Sequence, residues 1–271
     1  PAAELLARAA ARWPQRDAVV LGAARLTYAG LDRAASRLAQ ALIAAKLGRG
    51  HTVAMLSHNR LEYPIFHMGA ARAGSLQAHL SMRYTADELA HVLAKVNAEA
   101  VFAEAALLPN LRAARPRCPA LETVIVIGTP EAGLAAGEIG WDAFHAGIAD
   151  TPPKVAIDPA EPFCITFTGG TTGFPKAVMA SHGARSLIAM TVAEPFELSP
   201  GDAAVLCSPM FHLAGLCSWF YPAMAAGTTI VMLPKWEPEI FLAAAGRERA
   251  TMGFMVPTMI NALLNDPGFA P

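Results

Sequence analysis

The chain has 271 residues, 54% of them hydrophobic and 16% charged, with a formal net charge of −1 at pH 7. That length carries one large domain or two smaller ones, and a near-neutral balance without blocks of like charge gives no electrostatic footprint for nucleic acid and no charged tail. Cys118, Cys164, Cys207 and Cys217 show no C-x-x-C spacing and the histidines no H-x-x-x-H pair, which reads as buried thiols of a reducing, cytoplasmic compartment, not a disulfide frame or a protein-only metal cage.

Residues 4–13 predict a short helix with Leu5, Leu6 and Ala9 on one side. Ala18 to Leu21 and Arg25 to Thr27 flank a turn at Gly22 and predict a hairpin. Tyr28 to Lys46 is helical, with Leu31, Ala34, Leu38, Ala41, Leu42 and Ala45 in an apolar stripe. Val53 to Ser57 reads as a strand and Leu61 to Arg72 as a helix. Thr85, followed three residues on by Glu88, is a capping-box signature for a helix to Val96. Ala100 to Ala103 and Thr123 to Ile127 are strands with a helix between them. Residues 128–162 are richer in Gly, Pro and polar residues and are expected to cross from one subdomain to the next.

Phe163 to Phe167 predicts a strand, Ala177 to Ala180 a short return strand, and His182 to Ala193 a helix. From Ala203 to Leu233 no side chain carries a formal charge at pH 7. A membrane span needs about 20 mostly apolar residues, but Pro209, Pro222, Gly227 and the Thr228-Thr229 pair divide this run. It is expected to be a strand, a helix and a second strand buried on both faces, as in a βαβ unit. No basic segment followed by a long apolar core marks the N-terminus as a signal peptide. A helix over residues 240–249, a strand over 252–256 and a helix over 258–264 complete the alternation. Strands alternating with helices predict an α/β fold with largely parallel sheets. The expected division is a first αβ region over residues 1–150 and a second over 151–271.

The densest chemistry lies in Thr168-Gly-Gly-Thr-Thr-Gly-Phe-Pro-Lys176, where three glycines, three hydroxyls and one cation fall within nine residues after an apolar strand. Glycines let backbone N–H groups approach an anion without an intervening Cβ. Threonine hydroxyls add donors, or a ligand for a metal riding on phosphates, and the lysine adds a mobile positive charge. The run is neither a Walker A loop nor Gly-x-Gly-x-x-Gly. It predicts a strand, Gly-rich turn, strand arrangement that wraps a phosphate chain.

This run, with His182 after it, resembles the phosphate-loop signature of the adenylate-forming superfamily, which contains acyl-CoA synthetases, nonribosomal-peptide adenylation domains and luciferases. Pro209-Met-Phe-His212-Leu-Ala-Gly215 is a second match at the family's spacing, Val256-Pro-Thr258 a third, and Leu26-Thr-Tyr28 with the helix after it also reads like the family. The resemblance covers nearly the whole chain. Gly169 stands where serine is commoner and Ala177 where glycine is commoner; both are small, and the loop geometry is expected to survive.

The resemblance implies two stacked αβ subdomains of a large N-terminal domain. It implies activation of a carboxylic acid by ATP as an acyl-adenylate, then transfer to coenzyme A. In this reading Thr168, Gly169, Gly170, Thr171, Thr172, Gly173 and Lys176 bind ATP, Lys176 and His212 are catalytic, Phe211, His212 and Trp219 line the acid pocket, and Thr172 assists Mg²⁺. His182 either joins the site or only caps the following helix. The family's aromatic-Gly-x-Thr-Glu segment, ribose aspartate and C-terminal lid lysine do not occur, so the chain is expected to be an N-terminal portion, inactive alone, whose cut edge favours self-association. A fatty or aryl acid–CoA ligase is the leading expectation. An aryl- or amino-acid adenylation domain and a noncatalytic nucleotide-binding or interaction module stay open.

Overall fold

The computed structural model describes residues 1–169, 173 and 175–269. In chain order the strands are β1 (Asp17–Leu21), β2 (Ala24–Thr27), β3 (Thr52–Leu56), β4 (Leu76–His79), β5 (Ala100–Glu104), β6 (Thr123–Ile127), β7 (Glu138–Gly140), β8 (Pro162–Thr168), β9 (Lys176–Ser181), β10 (Ala203–Leu206), β11 (Thr229–Met232) and β12 (Met252–Phe254). The helices are α1 (Leu5–Arg12), α2 (Tyr28–Ala44), α3 (Glu62–Ala73), α4 (Ala86–Lys95), α5 (Leu108–Ala114), α6 (Trp141–Phe144), α7 (His182–Ala193), α8 (Leu213–Gly215), α9 (Tyr221–Ala226), α10 (Pro238–Glu248) and α11 (Pro257–Leu264). Between α8 and α9 the chain makes a π-helical turn, Leu216–Phe220.

Contacts divide the chain into two units, and the division interleaves along the sequence. One unit comprises residues 1–3, 33–57 and 62–184; the other comprises 4–32, 58–61 and 185–271. The stretch 128–162, read from sequence as a crossing, stays within the first unit and contributes β7 and α6 to it.

The first unit holds a sheet of order β7-β6-β5-β3-β4-β8-β9, parallel except for the antiparallel edge pair β8–β9. Side chains at alternate positions, Ala54 and Leu56, Val101 and Ala103, Val124 and Val126, pack with Leu89, Val92 and Leu93 of α4 and Leu108 and Leu111 of α5. The opposite register carries Phe102, whose ring lies 4.9 Å from Phe66 of α3 and 5.9 Å from Trp141 of α6. Helical cover on both faces is why β3, β5 and β6 are apolar along nearly their whole length. The start of α4 is the capping box read from sequence: Thr85 Oγ1 accepts from Glu88 N, and Glu88 Oε2 accepts from Thr85 N.

Strand β4 escaped the sequence reading because it carries Gln77 and His79 in a central position. Both are buried with partners: Gln77 Oε1 with His67 Nδ1, and His79 Nδ1 with the Tyr63 hydroxyl at 3.0 Å. A third buried histidine, His182, opens α7. Its backbone N–H donates to the Glu161 carbonyl at 3.1 Å, and its ring packs 4.6 Å from Phe163. Burial, opposed by Glu161, lowers its pKa to about 4. His182 therefore starts the helix as a neutral core residue.

The second unit holds a sheet of order β12-β10-β11-β1-β2, in which only β1–β2 is antiparallel. The charge-free run from Ala203 is the expected βαβ unit: β10 and β11 are parallel neighbours with Ala204 opposite Ile230 and Val205 opposite Val231. Among the described residues no helix is long and apolar enough to cross a membrane. Ala203, Val205, Cys207, Val231 and Leu233 pack against Ile240, Phe241 and Ala244 of α10. The Tyr28 hydroxyl donates to the Thr228 carbonyl at 2.8 Å from full burial, which pushes the phenol pKa up. Gly227 ends α9 at φ +77°, and a Cβ there would lie 2.4 Å from the Trp13 ring.

Two predictions follow from these positions. Gly22 and Gly227 both have positive φ, but a Cβ at Gly22 meets nothing within 4 Å. Gly22→Ala should cost about 1–2 kcal/mol from backbone strain alone. Gly227→Ala should cost a further ~1–3 kcal/mol from overpacking. Urea midpoints of the two variants compared at pH 7 check this, and equal losses would refute the Trp13 contact. For His182, an unfolded imidazole titrates near ~6.5 and the folded one near 4. Between those values the unfolded chain binds the extra proton, so stability is full above about pH 6.5 and falls toward pH 4, by at most ~1.4 kcal/mol per pH unit. His182→Gln should flatten that slope in denaturation series from pH 7 to 4.5; parallel slopes would exclude the buried neutral ring.

Candidate functional site

The glycine-rich run lies where β8 turns into β9. Strand β8 is parallel to β4, with Cys164 opposite Gln77 and His79 opposite Thr166, so its carboxyl end shares an edge with those of the other parallel strands. Open α/β sheets place ligands at that edge. The hairpin register puts Phe167 opposite Ala177 and Thr168 opposite Lys176, leaving residues 169–175 as the connection. A continuous buried run on β8, Phe163, Cys164, Ile165 and Thr166, fixes this strand in the sheet while Thr168 emerges exposed.

Two glycines show what the turn requires. Gly173 has φ +136°, a conformation closed to other residues, whereas a Cβ on Gly169 would meet nothing within 4 Å. The departure at Gly169 is therefore sterically free, and a hydroxymethyl group would fit there. Lys176 is exposed at the base of the hairpin and forms no ion pair among the described residues. An uncovered cation beside open backbone suits a phosphate chain. Gly170, Thr171 and Thr172 lie outside the described residues. Among the described residues no group of three or more His, Cys, Asp or Glu side chains converges to hold a metal ion.

The second segment, Pro209 to Gly215, belongs to the other unit and follows β10. His212 N donates to the Pro209 carbonyl at 3.1 Å and closes a turn. The helical stretch then packs directly on that turn: a Cβ on Gly215 would come within 2.6 Å of the Pro209 oxygen and 2.9 Å of the Ser208 oxygen. Only glycine permits this approach. Nδ1 of His212 accepts from Ala214 N at 3.2 Å. With Nδ1 an acceptor, a neutral ring carries its proton on Nε2, and the side chain is exposed. Phe211 is half-buried beside it.

Trp219 sits in the core of this unit. It is 2% exposed, its Nε1 donates to the Val205 carbonyl at 3.0 Å, and its ring lies against Phe196 and Phe254 at 5.7 and 5.8 Å. It belongs to the π-helical turn, a feature that recurs at functional sites. The structure thus groups Thr168, Gly169, Gly173 and Lys176 in one unit, and Phe211, His212 and Trp219 in the other.

One residue of this region is silent in sequence periodicity. Asn59 lies in the loop between β3 and α3, and the short stretch 58–61 belongs by contact with the five-stranded sheet. Its carboxamide is buried. Nδ2 donates to the carbonyls of Ser208 at 3.2 Å and Leu233 at 3.0 Å, and Oδ1 accepts from Met210 N at 2.8 Å. A loop asparagine ordinarily reads as a turn former; the partners that give it this task are about 150 residues away in sequence.

The family model for AMP-binding enzymes matches residues 6–270. An indoleacetate–CoA ligase of Aromatoleum aromaticum is 30% identical over 261 residues, which span 96% of this chain and 49% of that protein. The long-chain-fatty-acid–CoA ligase FadD13 of Mycobacterium tuberculosis is 28% identical over 249 residues, spanning 91% of this chain and 47% of that protein. The inhibitor-bound N-terminal domain of FACL13 from Mycobacterium tuberculosis superposes with a TM-score of 0.89 at 26% identity, covering 100% of this chain and 66% of that one. The anthranilate CoA ligase AuaEII in complex with anthranoyl-AMP shares the fold, with a TM-score of 0.93 at 20% identity over 99% of this chain and 52% of that one. The chain spans about half the length of the curated relatives it matches. With the whole of both sheets and both motif segments inside the matched region, the chain belongs to the AMP-binding enzyme family.

Proposed function

We propose that this chain is part of an ATP-dependent carboxylic acid–CoA ligase acting in the cytoplasm. The observation that carries the reading is the β8–β9 hairpin, with its obligatory glycine and exposed lysine at the carboxyl edge of a parallel sheet, in a chain of the AMP-binding family. The relatives' names, indoleacetate–CoA ligase and long-chain-fatty-acid–CoA ligase, support the acid and thiol substrates.

In the first half-reaction an oxygen of the carboxylate bonds to the α-phosphorus of ATP as the bond to the β-phosphate breaks, giving acyl-adenylate and pyrophosphate. Both reactants are anions, so charge neutralisation and alignment matter more than a strong base. The backbone of the turn and Lys176 receive the β- and γ-phosphates and the negative charge that accumulates as they leave. Thr168, Gly169 and Gly173 give the phosphate chain its clearance, with Gly170, Thr171 and Thr172 completing the loop. In the second half-reaction the thiol sulfur of coenzyme A bonds to the acyl carbon, the acyl–phosphate bond breaks, AMP leaves and the thiol proton is released. Phe211 and His212 contribute the wall on which the acid's carboxyl end is held, with Nε2–H of His212 as a donor to an acyl oxygen; Trp219 supports that wall. The described residues bring no three His, Cys, Asp or Glu side chains together for Mg²⁺. Catalysis is assigned to the whole protein, because the chain spans about half the length of the curated relatives it matches.

In the full-length protein, a carboxylic acid should drive exchange of labelled pyrophosphate into ATP, and Lys176→Ala should slow that exchange by ~10²–10³. Unchanged kinetics in Lys176→Ala would remove the lysine from the reaction. The acid should also lack an α-ammonium group, because no Asp or Glu lies between Leu206 and Phe220 to pair with a buried cation. Fatty, aryl and amino acids compared in the same exchange assay check this, and preference for an amino acid would move the protein to another branch of the family.

A further inference from the structure

Asn59 occupies a position where its chemistry is fully committed. A carboxamide has two N–H donors and one carbonyl oxygen. Here both donors face carbonyls and the oxygen faces an N–H, at 3.2, 3.0 and 2.8 Å. The amide cannot be turned over without placing donors against Met210 N–H and its oxygen against two other oxygens. The three partners are informative. Ser208 and Met210 bracket Pro209, whose carbonyl accepts from His212 N, and Leu233 follows the neighbouring strand β11. Asn59 therefore ties the turn that carries His212 to the end of an adjacent strand. Gly215 presses on the same Ser208 and Pro209 carbonyls from the helix side. The turn is held from both sides, and His212, which emerges from it, keeps its ring aligned by the bond from Ala214 N to Nδ1.

We propose that Asn59 is a positioning residue: by clamping the Ser208–Met210 turn it fixes the backbone from which His212 presents Nε2 to the substrate acid. This rests on the acid-activating reading above. Asn59 touches no reacting atom and acts through His212. Loss of the clamp leaves buried carbonyls of Ser208 and Leu233 without their donor, and the turn relaxes to pair them elsewhere, moving His212 off its line. Supporting groups of this kind matter because reacting atoms tolerate little displacement.

The test uses the full-length protein with Asn59→Ala, His212→Ala and the double variant, each assayed for acid-dependent pyrophosphate exchange. Asn59→Ala and His212→Ala should each lower kcat/KM for the acid by on the order of 10-fold or more. The double variant should be no slower than the slower single variant, because both changes remove one function. The KM for ATP should stay within about two-fold, which a general loss of structure would not allow. Losses that multiply in the double variant, or an equal rise in the KM for ATP, would overturn the proposal. If Asn59→Ala fails to fold, Asn59→Ser, which keeps one donor, is read by the same cycle. Nitrogen NMR of the His212 ring gives an independent reading: wild type should show the Nε2–H tautomer and Asn59→Ala a mixture, while an unchanged ring would refute the clamp. Should wild type exchange pyrophosphate with no acid, the acid-activating reading fails, whereas the ring tautomer still decides whether Asn59 positions His212.

Discussion

A peptide carbonyl buried past the end of a strand needs a donor, and this constraint places several polar side chains of the five-stranded unit. Within the sheet the ladder satisfies it; beyond the last rung a side chain must. Tyr28 serves Thr228, Trp219 serves Val205, Asn59 serves Ser208 and Leu233, Thr228 serves Ser199, and Thr229 serves Asp17. Each donor lies outside the strand it serves; the acceptors lie at or next to strand ends, except Val205, inside β10, and Ser199, in the turn before it. The strand ends are thereby held as firmly as the strands. A loop leaving such an end inherits a defined direction, which is what a site built on loops requires.

The two motif segments use different means to the same end. The hairpin turn after β8 is set by glycine: Gly173 holds a φ of +136° that no side chain could share, and the register of Thr168 opposite Lys176 fixes where the cation starts. The turn after β10 is set by contact, because Asn59 and Gly215 converge on Ser208 and Pro209. The first leaves Gly169, Gly173 and Lys176 exposed and fits an anion that carries its own charge. The second leaves an exposed histidine on a buried support and fits a group that must be oriented.

Local pattern made much of this legible. The capping box at Thr85, the strand Thr123–Ile127, the helix His182–Ala193 and the strand-turn-strand around the glycine-rich run all stand where their residues alone place them, because each depends on neighbours a few positions away. What stayed hidden depends on distant partners. Strand β4 reads as polar until His67 and Tyr63 are seen to pair with Gln77 and His79. Strand β1 joins the five-stranded sheet through Val19 opposite Ile230 and Val20 opposite Val231, a pairing of apolar residues that any other apolar strand could have made. The same holds at the site: the glycines and the lysine announce themselves by composition, while Asn59 is an ordinary loop residue until its three partners are in place.

The π-helical turn explains why the helix after His212 defied a simple stripe. An α-helix with one buried face repeats every 3.6 residues, yet Leu216, Cys217, Trp219, Phe220, Tyr221, Ala223 and Met224 are all buried. The segment lies between strand β10 and later apolar residues, so it is buried nearly all round and periodicity carries no information. An i→i+5 turn inserts an extra residue and rotates everything beyond it. That rotation lets Trp219 turn inward to bond Val205 while Gly215, before the turn, still lies flat on the Pro209 carbonyl. Trp219 within the turn and Gly215 before it make both contacts. The irregularity is thus the geometric solution that anchors the helix in the core and leaves its first turn available to hold His212.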